Sequence, residues 1–248
     1  RHITVGRGAL NALPEALAAT GGPVRLLAVS DAATRKAAWD AIGPRLRSLG
    51  LTVIEVVLPP GPHGPPLADE ANRQRIQEAI RADTDAILAV GSGTINDLAK
   101  MSSRTCGKPY LVCATAPSMN GYPSTNASLL EAGLKVTRPA QAPAAILADL
   151  AILGAAPPAM IRAGLGDLLS QQTALVDWRL SNLVEGTYYC PAVAGLVAGP
   201  IQRASQAADA LNRREDAAVA QLTEALILSG FTMVMAGQSS PASGAEHL

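Results

Sequence analysis

Gly91-Ser92-Gly93-Thr94-Ile95 stands between an apolar run, Asp85 to Val90, and a stretch of helix-forming residues that reaches Lys100. The run before it has turn formers on both sides and reads as a strand buried on both faces. Glycine leaves no side chain between the backbone and a ligand. The unpaired amides and dipole of a helix start favour a phosphate. The chemistry on offer is pyrophosphate binding, although the same residues suit an ordinary tight turn and the other segments must decide.

Two more groups of residues offer chemistry. Thr115 to Ser124, TAPSMNGYPS, follows the apolar run Tyr110 to Ala114, and loops at the carboxyl ends of parallel strands are where open α/β sheets bind ligands. Its hydroxyls at Thr115, Ser118 and Ser124 and its amide at Asn120 suit a cofactor, a substrate or plain turn chemistry. Asp167 follows Gly164-Leu165-Gly166 in an apolar helical segment, where a carboxylate needs a partner. Beyond Ser243-Gly244-Ala245 come Glu246 and His247, an imidazole and a carboxylate that suit a metal or an exposed chain end.

The elements that position these residues alternate through the first half. Val24 to Val29, Leu51 to Leu58, Asp85 to Val90, Tyr110 to Ala114 and Ala145 to Ala148 read as strands. Ala32 to Leu49 and Leu67 to Arg81 read as helices, and the segments around the last two strands as polar or proline-bearing loops. This alternation predicts a parallel sheet wrapped by helices. After Pro157-Pro158 the segments Ala159 to Leu183, Pro191 to Asn212 and Asp216 to Ala236 have helical composition and no convincing strand. Proline disfavours helix before it and suits a helix start, so the diproline divides an α/β domain, residues 1–156, from an all-helical one, residues 157–248.

Composition narrows the partners. Lysine and arginine total 20 against 20 acidic residues, and aromatics are only 3% of the 248 residues. That leaves little for neutralising phosphate backbones or stacking bases, so small molecules are expected rather than nucleic acid. No run approaches the roughly 20 apolar residues of a membrane span, and Ala225 to Ala236, broken by Ser229, Gly230 and Thr232, reads as a buried helix. Cys106, Cys113 and Cys190 form no paired or metal-ligand pattern and read as buried thiols of a reducing compartment, hence a cytoplasmic protein.

Taken in order, six segments resemble one family. They are GSGTIND (91–97), TAPSMNGY (115–122), Ile146 to Asp149, AGLGDLLS (163–170), Asp177-Trp178 and SPASGAEH (240–247). The family is that of the sn-glycerol-1-phosphate dehydrogenases, within the iron-containing alcohol dehydrogenase and dehydroquinate synthase superfamily. The resemblance implies a Rossmann-like, dehydroquinate synthase-like fold and hydride transfer between a nicotinamide cofactor, NAD or NADP, and a small polyol phosphate or its ketone. It places Gly91, Ser92, Gly93, Thr94 and Ile95 at the pyrophosphate, Asp31 at the adenosine ribose, Thr115 and Ser118 at the cofactor, and Ser124 near the nicotinamide. Asn120 and Asp167 would meet substrate. Asp167 and His247 would be the catalytic metal ligands, with zinc the first expectation and iron or nickel the alternatives. A homo-oligomer is also in keeping with the family.

The sequence departs from the family pattern at named places. Asn120 replaces the usual Asp, Gln171 the common Lys and Ser240 the common Arg. Each change removes a charge, and charge-assisted hydrogen bonds are about twice as strong as neutral ones. Lys100 remains as a cation on the helix after the glycine turn, where it reads as a solvated face charge. The family's third metal ligand has no counterpart before Leu248, so the helical domain is expected to be incomplete at its C-terminal end. Two other functions are expected as rivals: a dehydroquinate-synthase-like cyclase, and a non-catalytic cofactor-binding relative with a regulatory or assembly role.

Overall fold

The computed structural model describes residues 1–245. Internal contacts divide the chain into two units, residues 1–116 with 125–156, and residues 117–124 with the chain from 157 onward.

The first unit runs β1 (His2–Gly6), α1 (Leu13–Ala18), β2 (Arg25–Asp31), α2 (Ala32–Ser48), β3 (Thr52–Leu58), α3 (Glu70–Ala79), β4 (Ala86–Gly91), α4 (Gly93–Cys106), β5 (Tyr110–Ala114), β6 (Asn126–Glu131), β7 (Leu134–Pro139), β8 (Ala145–Asp149) and α5 (Leu150–Leu153). Six strands form one parallel sheet in the order β1-β8-β5-β4-β2-β3. Every residue of β4, β5 and β8 is buried, which is why these strands read as unbroken apolar runs rather than alternating ones. One face of the sheet, carrying Leu26, Leu88, Leu111 and Leu147, packs with Trp39, Ile42 and Leu46 of α2 and Leu13 of α1 in a single core.

Two strand pairings lie where loops or nothing were expected. β1 runs parallel to β8 at the sheet edge, and β6 and β7 form an antiparallel hairpin inside the segment read as loop. The hairpin turns at Ala132 and Gly133, with φ of 48° and 81°, the left-handed pair that a two-residue hairpin turn requires. The cysteine expectation also needs correction: Cys113 is buried, and burial pushes its thiol up to about 12, but Cys106 and Cys190 are half-buried. Lys100 is no solvated face charge either, since its side chain is fully buried.

The second unit consists of α6 (Pro158–Glu185), α7 (Pro191–Gln206), α8 (Ala208–Asn212) and α9 (Asp216–Ala236) together with residues 117–124. α6 takes Pro158 in its first turn and stops at Gly186, whose φ of 70° is left-handed, the arrangement that proline and glycine each favour. The helix expected over 191–212 is two, because Ala207 leaves helical geometry at ψ 8°. α9 is long and apolar enough to cross a membrane by length and composition. Its Val219, Leu222, Leu226 and Thr223 are nevertheless buried, as the core helix of a bundle requires.

Candidate functional site

Within the first unit, β2 has β3 on one side and β4 on the other, so the strand order reverses between β2 and β4. Open α/β sheets bind ligands at such a switch point, outside the carboxyl ends of the strands. Asp31 ends β2, Gly91 ends β4, and Thr115 follows the last residue of β5. The registers Val29 with Ala89 and Gly91 with Ala114 set these three strand ends level. Neighbouring strands are about 4.8 Å apart. Residues from sequence positions 31, 91 and 115 therefore share one short rim.

α4 starts directly on that rim. Its N-cap, Ser92, has no side-chain cap hydrogen bond, so the first-turn amides, which lack intrahelical acceptors, are not closed off by a neighbouring hydroxyl. The two glycines differ in what they serve. A Cβ on Gly91 would stand 2.5 Å from Ile95 Cβ, so packing of the helix onto its own strand excludes a side chain there. A Cβ on Gly93 would meet nothing within 4 Å. Packing does not explain glycine at 93, whereas close approach of a bulky anion does. This uncapped turn with open space over Gly93 fits the pyrophosphate of a dinucleotide.

Asp31 already holds the start of α2. Its Oδ1 accepts the Thr34 amide at 2.7 Å, and its own amide donates to Thr34 Oγ1 at 3.0 Å, a complete capping box. A ribose hydroxyl would therefore meet a carboxylate already oriented by the helix. Thr115 and Ser92 are both buried.

The second unit contains the other expected residues. Asn120 donates its backbone amide to Asp167 Oδ2 at 2.8 Å and its side-chain amide to Ser229 Oγ at 3.1 Å. Residues 117–124 can lie this close to the helices because two helix positions lack a side chain. A Cβ on Gly164 would overlap the Pro117 carbonyl oxygen, and one on Gly230 would overlap the Asn120 carbonyl oxygen. Sequence reasoning gave Gly164 no packing role and did not single out Gly230 for one; the available signal was a glycine inside an apolar helical run, which costs helix stability unless something approaches. Ser124 is buried, its hydroxyl donating to the Gly121 carbonyl at 3.0 Å, and Ser118 is half-buried.

The other two positions that lost a charge lie on or beside α6 and the 241–245 turn. Gln171 is fully buried, and its Nε2 donates to the Pro241 carbonyl at 2.9 Å. Ser240 lines a cavity of about 230 Å³ with Asp177 and Trp178. Asp177 accepts the Ala245 amide at 2.9 Å, so α6 holds the 241–245 turn at two points. His247 lies outside the described residues. Among the described residues no three His, Cys, Asp or Glu side chains converge to hold a metal, and of the two expected ligands Asp167 lies among them.

Residues 4–157 match the family of iron-containing alcohol dehydrogenases. A protein of Halalkalibacterium halodurans named glycerol-1-phosphate dehydrogenase [NAD(P)+] is 38% identical over 246 residues, covering 99% of this chain and 61% of its own length. One of the same name from Bacillus velezensis is 36% identical over 219 residues, covering 88% of this chain and 56% of its own. The crystal structure of glycerol dehydrogenase from Schizosaccharomyces pombe superposes with a TM-score of 0.79 at 20% identity, over 99% of this chain and 62% of that one; at that identity it bears on the fold alone. This chain spans about three fifths of the length of the relatives it matches.

Proposed function

This chain belongs to the iron-containing alcohol dehydrogenase family, and we propose that the protein reduces a small ketone phosphate, dihydroxyacetone phosphate, to sn-glycerol-1-phosphate with NADH or NADPH. The observation that carries the reading is the shared rim of Asp31, Gly91 and Thr115 at the switch point of the sheet. The name borne by the relatives supports the substrate.

In this reading the amides of Gly93, Thr94 and Ile95 bind the pyrophosphate, with Gly91 and Ser92 shaping the turn. Asp31 orients the adenosine ribose, Thr115 and Ser118 contact the cofactor, and Ser124 stands toward the nicotinamide. Residues 1–116 with 125–156 then act as the cofactor-binding unit, and residues 117–124 with the chain from 157 as the substrate- and metal-binding unit. The bound cofactor supplies the hydride that forms the new C–H bond at the carbonyl carbon, and a proton added at the carbonyl oxygen completes the alcohol. In this reading Asp167, held by the Asn120 amide, is the substrate-side carboxylate. A divalent metal, zinc first, belongs to the reading through Asp167 and His247. Since the described residues do not complete its site, no step is derived through it.

The test is NADH and NADPH oxidation with dihydroxyacetone phosphate by the whole protein, with and without zinc and then with chelator. Turnover yielding the sn-1 phosphate supports the reading. Dinucleotide binding without turnover under any metal condition would overturn it in favour of a non-catalytic relative.

A further inference from the structure

Asp97 and Lys100 stand one turn apart on α4, and both reach the same edge of β6. Lys100 Nζ donates to the Asn126 carbonyl at 2.9 Å, Asp97 Oδ2 accepts the Ser128 amide at 3.1 Å, and the two side chains approach to 3.8 Å. In an extended strand these two backbone groups face one side. The ion pair thus takes the place of a neighbouring strand, and the next amide on that edge, Leu130, donates to the Ala68 carbonyl at 2.8 Å.

Burial makes this an expensive way to fill space. The Lys100 ammonium is held down to about 8 by burial, with Asp97 acting against the shift, while burial pushes the Asp97 carboxyl up. An apolar side chain of similar volume would often be as stable or more so. What a cation adds here is a charged hydrogen bond to the Asn126 carbonyl. That carbonyl lies just past the point where residues 117–124 return to the first unit.

We infer that Lys100 is a positioning residue, anchoring the return of the 117–124 segment through the Asn126 carbonyl and thereby steadying the Asn120 amide that holds Asp167. The inference rests on the proposed function only in taking Asp167 as a substrate-side group. The contacts assigned to Lys100 are to Asn126 and Asp97 and not to cofactor or substrate. Asp97 aims the ammonium and holds the neighbouring amide.

The experiment uses the whole protein as wild type, Lys100→Met and Lys100→Arg, with the double variant Asp97→Asn, Lys100→Met as the fallback should Lys100→Met not fold. It measures amide hydrogen exchange by residue, NADH affinity by fluorescence, and kcat and KM with dihydroxyacetone phosphate. Losing a charged hydrogen bond predicts roughly tenfold faster exchange at 118–130, unchanged exchange in β4, unchanged NADH affinity and a lower kcat. Lys100→Arg restores part of the protection. Unchanged exchange at 118–130, or an equal rise throughout both units, overturns the inference. If the wild type shows no turnover but the local exchange change appears, the anchor stands and the dehydrogenase reading falls.

Discussion

The backbone amide of Asn120 meets Asp167 Oδ2 at 2.8 Å across 47 positions of sequence. Because the donor is main chain, replacing the Asn120 side chain leaves this bond in place and removes only the contact to Ser229. Asn120→Ala is therefore expected to cost about 1 kcal/mol of stability. Asp167→Asn keeps the shape but not the charge, and should lower turnover at least about 100-fold, the scale of losing one electrostatic group at a reacting centre. Steady-state NADH oxidation and urea midpoints on the two variants separate these effects; equal turnover loss in both would remove Asp167 from its proposed role.

The two rim glycines should fail differently. Gly91→Ala drives a methyl into Ile95 and is expected to destabilise by roughly 1–3 kcal/mol. Gly93→Ala has open space above it, so the fold should keep its melting temperature while NADH binding weakens severalfold or more. Thermal melts and fluorescence titrations decide this, and unchanged affinity in Gly93→Ala argues against a ligand over that turn.

Gly164→Ala should be among the most damaging single methyl groups that can be added to the second unit, because its neighbour is the Pro117 backbone rather than a movable side chain. A loss of about 3 kcal/mol or more is expected. Denaturant unfolding of the variant beside Gly166→Ala, whose added methyl meets nothing within 4 Å, provides the control.

Asp31 does two jobs in the proposed function, and substitutions can part them. Asparagine keeps a capping oxygen for the Thr34 amide, whereas alanine removes it at a cost of about 1 kcal/mol. Asp31→Asn should hold stability while shifting the ratio of NADPH to NADH affinity upward, since a carboxylate disfavours the extra phosphate. A ratio that stays constant would leave Asp31 as a helix cap only.

Alkaline pH offers a readout of Lys100. The folded protein releases this proton near 8, the unfolded chain near 10.5. Between those values the unfolded state binds more protons, so this group's contribution to stability rises with pH through the window and is lost as pH falls through 8. The stability difference between wild type and Lys100→Met, measured by urea denaturation from pH 7 to 10, should therefore move toward the wild type as pH increases.

Much of the sheet was legible because its strands are buried on both faces and leave continuous apolar runs, as in Ala86 to Val90 and Tyr110 to Ala114. The β6–β7 hairpin was not, since only Ala127 and Leu129 of its residues are buried and Leu134 and Lys135 are solvated. Its sequence signal was the short Ala132-Gly133 turn. Gly91 and Gly93 could be named in advance from the turn they form and Asp31 only from the family resemblance, while their adjacency depends on strand order, which no local pattern states. Lys100 was misread because a lysine on a helix is nearly always at the surface; its partner carbonyl, on Asn126, is 26 positions away.

The chain passes between its two units three times, after residues 116, 124 and 156. Residue 156 is thus a false seam for shuffling. A gene recombined there would graft a foreign helical half onto an upstream half that still carries residues 117–124, a strap fitted to Gly164, Asp167, Ser229 and Gly230 of the half it lost. Compatible swaps must exchange the strap and the helices together, so the two stretches are expected to be inherited as one block despite the 32 intervening residues, 125–156.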